Sequence, residues 1–236
     1  MIPSSQGIYR AQRGYFEQAY RSGVHGWPIE GVSTMVAAFL KTAGPGRGKR
    51  VLDIGCGEGR HTRAFAEAGF EAVGIDLQYK ALDRARTAMR GADAGGRWWL
   101  LQADVFALPF AHETFDVLID YGCLHHVRRS DTPRYLGQIA PLLRSNGYFL
   151  LSCFSTKFKH HPGERRTRDW VVHHGHYDRF FRRGDFAELF GDAFDLLDLR
   201  EDRAGLYVFH NVLMRKKPTR GNGSTRNRRM SATCRS

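Results

Sequence analysis

The segment VLDIGCGEGR, residues 51 to 60, sets Gly55, Gly57 and Gly59 at alternate positions, with Asp53 just ahead of them and Glu58 inside the turn. Loops that cradle dinucleotides use Gly-x-Gly-x-x-Gly, whose backbone N–H groups and following helix N-terminus face a pyrophosphate. Here the spacing is tighter, and carboxylates at the strand end and in the turn repel phosphate while attracting a ligand with sulfonium and ammonium groups. Asp76 closes EAVGID 21 positions after Gly55, placed to accept hydrogen bonds from both hydroxyls of a ribose. An acid there suits NAD and a sulfonium nucleoside alike. Ala103-Asp104-Val105, in LQADVFALPF, adds a carboxylate able to accept from an adenine amino group. Three acids on successive strand ends outline an adenosine bearing a cationic amino-acid tail.

Group transfer from a sulfonium is an in-line displacement, in which proximity and orientation lower much of the barrier. A thiolate or similar soft anion attacks without help, whereas a hydroxyl or protonated amine needs a base. His125 and His126, in FDVLIDYGCLHHV, follow a strand at the carboxyl edge where such sheets bind ligands, and His125 is the preferred candidate. Tyr20 and Trp27 offer aromatic faces to a cation or to an acceptor. The cluster HHGHYDRFF brings His173, His174, His176 and Tyr177 as further acceptor contacts. No acid or cysteine is seen to complete a tetrahedral ligand set there, so no metal is expected.

These residues need a scaffold, and residues 48 to 154 supply one by alternating short apolar runs with helical periodicity. RVLDIG, EAVGID, RWWLLQAD, FDVLID and YFLLSCFS read as strands. RHTRAFAEAG, YKALDRARTAMRG and TPRYLGQIAPLLRSNG read as helices, the last capped by Asp131 and bent by Pro141. Strict alternation argues for a parallel, doubly wound α/β sheet covered on both faces. FDLLDLRED and LYVFHNVLMRK then close an edge as an antiparallel hairpin. Residues 1–47 form a helical cap, 48–214 the core, and about 155–180 an insert read as a loop or lid whose Arg165, Arg166 and Arg168 make it basic.

The formal charge is +12, but residues 215–236 carry Lys216, Lys217 and six arginines without an acid, leaving +4 on residues 1–214. That segment reads as a disordered basic tail, the one place where nucleic acid could be held. Cys56, Cys123, Cys153 and Cys234 form no Cys-x-x-Cys pair and read as buried thiols. Without a membrane-length apolar run or a secretion signal, a cytoplasmic monomer or homodimer is expected.

VLDIGCGEGRHTRAFAEAGFEAVGID, QAD and FDVLIDYGCLHHV together resemble the class I S-adenosylmethionine-dependent methyltransferases. YGCLHHV, YFLLSCFS and GWPIEG are similar, more narrowly, to small-molecule methyltransferases of the thiopurine and tellurite-resistance type. The resemblance implies a Rossmann-like, mostly parallel seven-stranded sheet and S-adenosylmethionine as cofactor. It puts Asp53, Gly55, Cys56 and Gly57 around the methionine end, Asp76 and Leu77 at the ribose, Asp104 and Val105 at the adenine, and Asp120 and Tyr121 beside the sulfonium; Cys56 lines the loop without chemistry of its own. The expected reaction is methyl transfer to a small nucleophile such as a thiol or a selenium or tellurium oxyanion. A nucleic-acid methyltransferase, a non-catalytic cofactor-binding regulator and a nicotinamide oxidoreductase are the rivals. The strand-four segment Asp120-Tyr121-Gly122-Cys123 lacks the Asn/Asp-Pro-Pro-aromatic signature of many base methyltransferases.

Overall fold

The apolar runs fold into five parallel strands: β1 (Arg50–Ile54), β2 (Glu71–Asp76), β3 (Trp98–Gln102), β4 (Phe115–Tyr121) and β5 (Leu143–Phe154). This computed structural model describes residues 5–23, 27, 31–90, 97–158, 167, 169–173, 175–204 and 207–218. The chain returns through β8 (Phe194–Ala204) and β9 (Tyr207–Lys216), an antiparallel pair with β9 beside β5. The seven strands lie in the order β3-β2-β1-β4-β5-β9-β8. Winding reverses between β1 and β4, which opens a crevice beyond their carboxyl ends.

Alternation along each strand sends side chains to two cores. Val51, Val117, Ile119 and Leu150 pack beneath helices α2 (Thr34–Ala43), α3 (Arg60–Glu67) and α4 (Tyr79–Arg90), which contribute Phe39, Phe65 and Met89. Leu52, Ile54, Leu118 and Leu151 face the other side. Tyr135 and Ile139 of α5 (Thr132–Ile139) and Phe186 and Phe190 of α6 (Asp185–Phe190) cover them. Each fully buried chain of this size contributes about 1.5–3 kcal/mol of transfer free energy. These packed layers make the strand tips a firm platform.

Asp131 precedes α5 but makes no capping bond; its Oδ2 accepts instead from Tyr9 Oη at 2.7 Å. Regular helix ends at Ile139, and a 3-10 turn, Ala140–Leu142, carries Pro141. The first residues of the segment read as tail are strand. Arg215 and Lys216 belong to β9, opposite Tyr148 and Phe194, because the strand persists while it has partners. Residues 219–236, including Cys234, and Arg165, Arg166, Arg168 and His174 lie outside the described residues.

The described residues of the insert include a hairpin. Trp170–His173 (β6) and His176–Arg179 (β7) pair as an antiparallel hairpin with His173 opposite His176, and Gly175 takes φ +84° in the turn. Four-residue strands are too short to display a period. Helix α1 (Ser5–Ser22) packs against β7, held by Gln12: its Nε2 donates to His126 O at 3.1 Å, and Tyr177 N donates to its Oε1 at 3.1 Å. Beyond β7, Phe181 N donates to Phe154 O at 2.7 Å, which ties the hairpin to the tip of β5. Among the described residues, no helix is long and apolar enough to cross a membrane.

Candidate active site

Between β1 and α3 the chain reverses on three left-handed glycines, Gly55 at φ +67°, Gly57 at +55° and Gly59 at +79°. A side chain other than glycine meets strain at such angles. A Cβ on Gly57 would also come within 3.2 Å of Tyr20 Oη. Asp53 sits beneath the loop, its Oδ2 accepting from Thr62 N at 2.9 Å and Thr62 Oγ1 at 2.6 Å, so it stabilises the first turn of α3. Burial outweighs these hydrogen bonds and raises its carboxyl to about 6.

Asp76 Oδ2 accepts from Gly57 N at 3.0 Å and Oδ1 from Gln78 N at 2.8 Å. It therefore fixes the loop, and each oxygen retains a second lone pair for a ligand. Asp104 Oδ1 accepts from Phe106 N at 2.9 Å, a turn within its own loop, while Oδ2 lies 3.8 Å from Arg13. Glu58 is not a free repulsive charge, since its carboxylate pairs with Arg84 Nη1 at 2.9 Å. Among the described residues, Asp53 and Asp76 have no basic side chain paired with them in this way, and their partners are Thr62, Gly57 and Gln78.

One cavity of about 1460 Å³ runs from this loop toward the hairpin. Single-ligand pockets span roughly 300–1,000 Å³, so the space accommodates two ligands side by side. Asp53, Gly55, Cys56, Gly57, Asp76, Leu77, Asp104, Val105 and Tyr121 line one end, and Tyr20, Trp27, His125 and His126 line its continuation.

The chain at Asp120 and Tyr121, expected to pass beside the sulfonium, borders the cavity through Tyr121, while the carboxylate of Asp120 is turned away. It is fully buried, accepting from Tyr135 Oη at 2.6 Å, Cys123 N at 2.8 Å and Leu124 N at 3.0 Å, and desolvation raises it to about 6. Its task is to brace the turn that carries His125 and His126. Tyr177 is likewise absent from the cavity wall, because on β7 alternate residues face opposite ways. Tyr177 stacks on Trp170, with ring centroids 6.0 Å apart, and its neighbours His176 and Asp178 face the cavity. Cys56 and Cys153 are buried and Cys123 is half-buried, with desolvation holding all three thiols up, which keeps them unreactive.

The two adjacent histidines both reach the cavity because Leu124–His126 is a tight 3-10 turn. His125 lies flat on Phe154, with centroids 3.7 Å apart and planes 13° apart, and burial keeps it neutral. Its Nδ1 is buried with no hydrogen-bond partner among the described residues. His126 Nδ1 lies 3.1 Å from Tyr177 O and 2.9 Å from Asp178 Oδ1. His176 reaches the same carboxylate, Nε2 to Asp178 Oδ2 at 3.1 Å, and stacks on Tyr15 with centroids 4.0 Å apart. Gln12, Tyr15, Phe16 and Asp178 escaped the sequence reading.

A doubly wound sheet with a glycine turn after β1 and carboxylates at the next strand ends defines a class I S-adenosylmethionine-dependent methyltransferase. The chain belongs to the methyltransferase domain family, whose model matches residues 51–147. An uncharacterised methyltransferase of Schizosaccharomyces pombe is 30% identical over 127 residues, 53% of this chain and 81% of that protein. A ubiquinone biosynthesis O-methyltransferase of Aromatoleum aromaticum is 37% identical over 112 residues, covering 48% of this chain and 47% of the relative. Among solved structures, the Burkholderia thailandensis 1,6-didemethyltoxoflavin-N1-methyltransferase, with its namesake compound and S-adenosylhomocysteine bound, superposes with TM-score 0.71 at 25% identity. That match covers 92% of each chain. A Methanosarcina mazei S-adenosylmethionine-dependent methyltransferase shares the fold, with TM-score 0.67, 18% identity, and 80% of this chain and 100% of that one covered.

Proposed function

We propose that this methyltransferase acts on a small, planar acceptor carrying an ionisable oxygen, nitrogen or sulfur. The observation that carries this reading is the ring-built far end of the cavity, where Tyr15, Phe16, Trp27, Phe154 and Phe209 meet His125, His126 and His176. Aromatic walls favour flat, weakly charged molecules over phosphate-rich ones, which would lose hydration there without compensation. A ubiquinone biosynthesis O-methyltransferase relative and a 1,6-didemethyltoxoflavin-N1-methyltransferase neighbour support a small-molecule acceptor. Soft acceptors of the thiopurine and tellurite type suit the same cavity and belong in the test.

The glycine loop fits the cofactor, since its left-handed turn leaves open the space that a Cβ at Gly57 would narrow. Asp76 and Leu77 would hold the ribose, Asp104 and Val105 the adenine edge, and Asp53, Gly55 and Gly57 the methionine end, with Cys56 as passive lining. When bound, S-adenosylmethionine supplies a methyl group on a sulfonium. Tyr20, Trp27 and Tyr121 exclude water from the junction of the two ends, so attraction by the carboxylates is less screened. The histidine and aspartate wall is where an O–H or N–H acceptor gives up its proton.

The test is a labelled-methyl transfer screen across phenols, catechols, heteroaromatic N–H compounds, thiols, selenite, tellurite and RNA. Turnover concentrated in the planar phenols and heterocycles is expected. Transfer to RNA alone, or to none of the acceptors despite cofactor binding, overturns the proposal.

A further inference from the structure

Four metal-binding side chains from two separated segments converge at the far end of the cavity. His125 and His126 come from the turn after β4, and His176 and Asp178 from the cavity face of β7. One ligand atom from each of His125, His126 and Asp178 lies within 4.8 Å of the other two. Asp178 is the acid that the sequence reading failed to find, because it follows His176 by two residues and only a strand turns both toward the same side.

Three features separate this group from an ordinary polar cluster. Asp178 and His176 are each only 6% exposed, and His125 3%. Imidazole nitrogens lie against both oxygens of the Asp178 carboxylate, His126 Nδ1 at 2.9 Å and His176 Nε2 at 3.1 Å. His125 Nδ1 has no hydrogen-bond partner among the described residues, and a buried nitrogen in that condition calls for a missing water or ion. The cluster also opens on a cavity large enough to admit an ion and leave coordination positions free.

We propose that His125, His126 and Asp178, with His176 beside them, bind a divalent first-row transition metal ion of the kind imidazole favours, such as Zn²⁺ or Co²⁺, within the acceptor end of the cavity. Two imidazoles and one carboxylate satisfy three positions and leave others for an incoming oxygen or nitrogen. This assignment rests on the acceptor-end reading given above. An acceptor O–H or N–H that joins the ion releases its proton to solvent and remains as the bound anion, ready to attack. In the loaded enzyme His126 is then a ligand rather than a base, since one lone pair cannot do both.

The experiment is calorimetry on the full chain after chelation, titrated with Zn²⁺, and parallel titration with Co²⁺ read by its visible d–d absorption. One ion per chain is expected. Asp178→Asn and His126→Ala should each weaken binding by at least about tenfold, while His112→Ala, an exposed histidine elsewhere, leaves it unchanged. S-adenosylmethionine titrated into the same variants should bind as in the parent, which shows that they are folded. Absence of stoichiometric binding in the parent, or binding that survives both cluster variants, overturns the metal site. Metal binding with no planar acceptor methylated would instead sink the acceptor reading and leave the metal site standing.

Discussion

The two ends of the cavity are built in opposite ways. The end proposed for the cofactor is made from backbone turns and strand-tip carboxylates, all within residues 53–121, and its shape is set by three left-handed glycines and by Asp76 accepting from Gly57 N. The acceptor end is made from side chains of α1, the turn after β4, the tip of β5, β7 and β9, brought together only by tertiary packing. A site written in backbone holds a fixed ligand. A site written in remote side chains can be re-specified by changing rings without disturbing the frame.

Gly57→Val is the most severe way to probe that contrast. A β-branched residue at φ +55° carries strain of about 1–2 kcal/mol or more, and its side chain crowds Tyr20. Cofactor affinity in calorimetry should fall by more than about a hundredfold, with the far-ultraviolet circular dichroism unchanged. Retained binding would mean that the loop is not the cofactor seat.

Gln12→Ala tests the other end through its support. It removes the two hydrogen bonds that join α1 to His126 and Tyr177, each contributing about 0.5–1.5 kcal/mol. A fall in acceptor kcat/KM of roughly tenfold is expected, with cofactor affinity within about twofold of the parent. Equal losses at both ends would show that they are not independent.

The smallest effect is expected from Tyr177→Phe. Its ring lies on the far side of β7 from the cavity, against Trp170. Steady-state constants for any accepted substrate should stay within about twofold. A selective rise in acceptor KM would restore Tyr177 to the site.

The same contrast explains what could be read from the chain. The glycine turn between β1 and α3 was legible because a local motif, strand then turn then helix, carries its meaning in spacing, and the cofactor contacts proposed for Gly55, Gly57, Asp76 and Asp104 rest on that same spacing. The parallel sheet and its antiparallel closure were legible because apolar alternation persists over whole strands. The task of the Asp120 carboxylate was not legible: at a strand tip it can face the cavity or brace the next turn, and only the positions of Cys123 N, Leu124 N and Tyr135 Oη decide. Tyr177 and Asp178 exchanged places because a four-residue strand has too few residues to reveal its faces. Gln12 and Tyr15 were invisible, since nothing near them in sequence announces the hairpin some 160 residues later.

With the cofactor seated as proposed, Asp53 would make ligand capture a proton-exchange reaction. A carboxyl held at about 6 is partly protonated in mildly acidic medium, and a cation settling beside it would expel that proton. Affinity for the sulfonium cofactor should then climb from about pH 5 to about pH 7 and level off above, where the acid is already ionised. The enthalpy measured near pH 6 should differ between buffers of unlike ionisation heat. Acidification alone would thereby loosen the enzyme's hold on its methyl donor, with no residue of the acceptor end taking part.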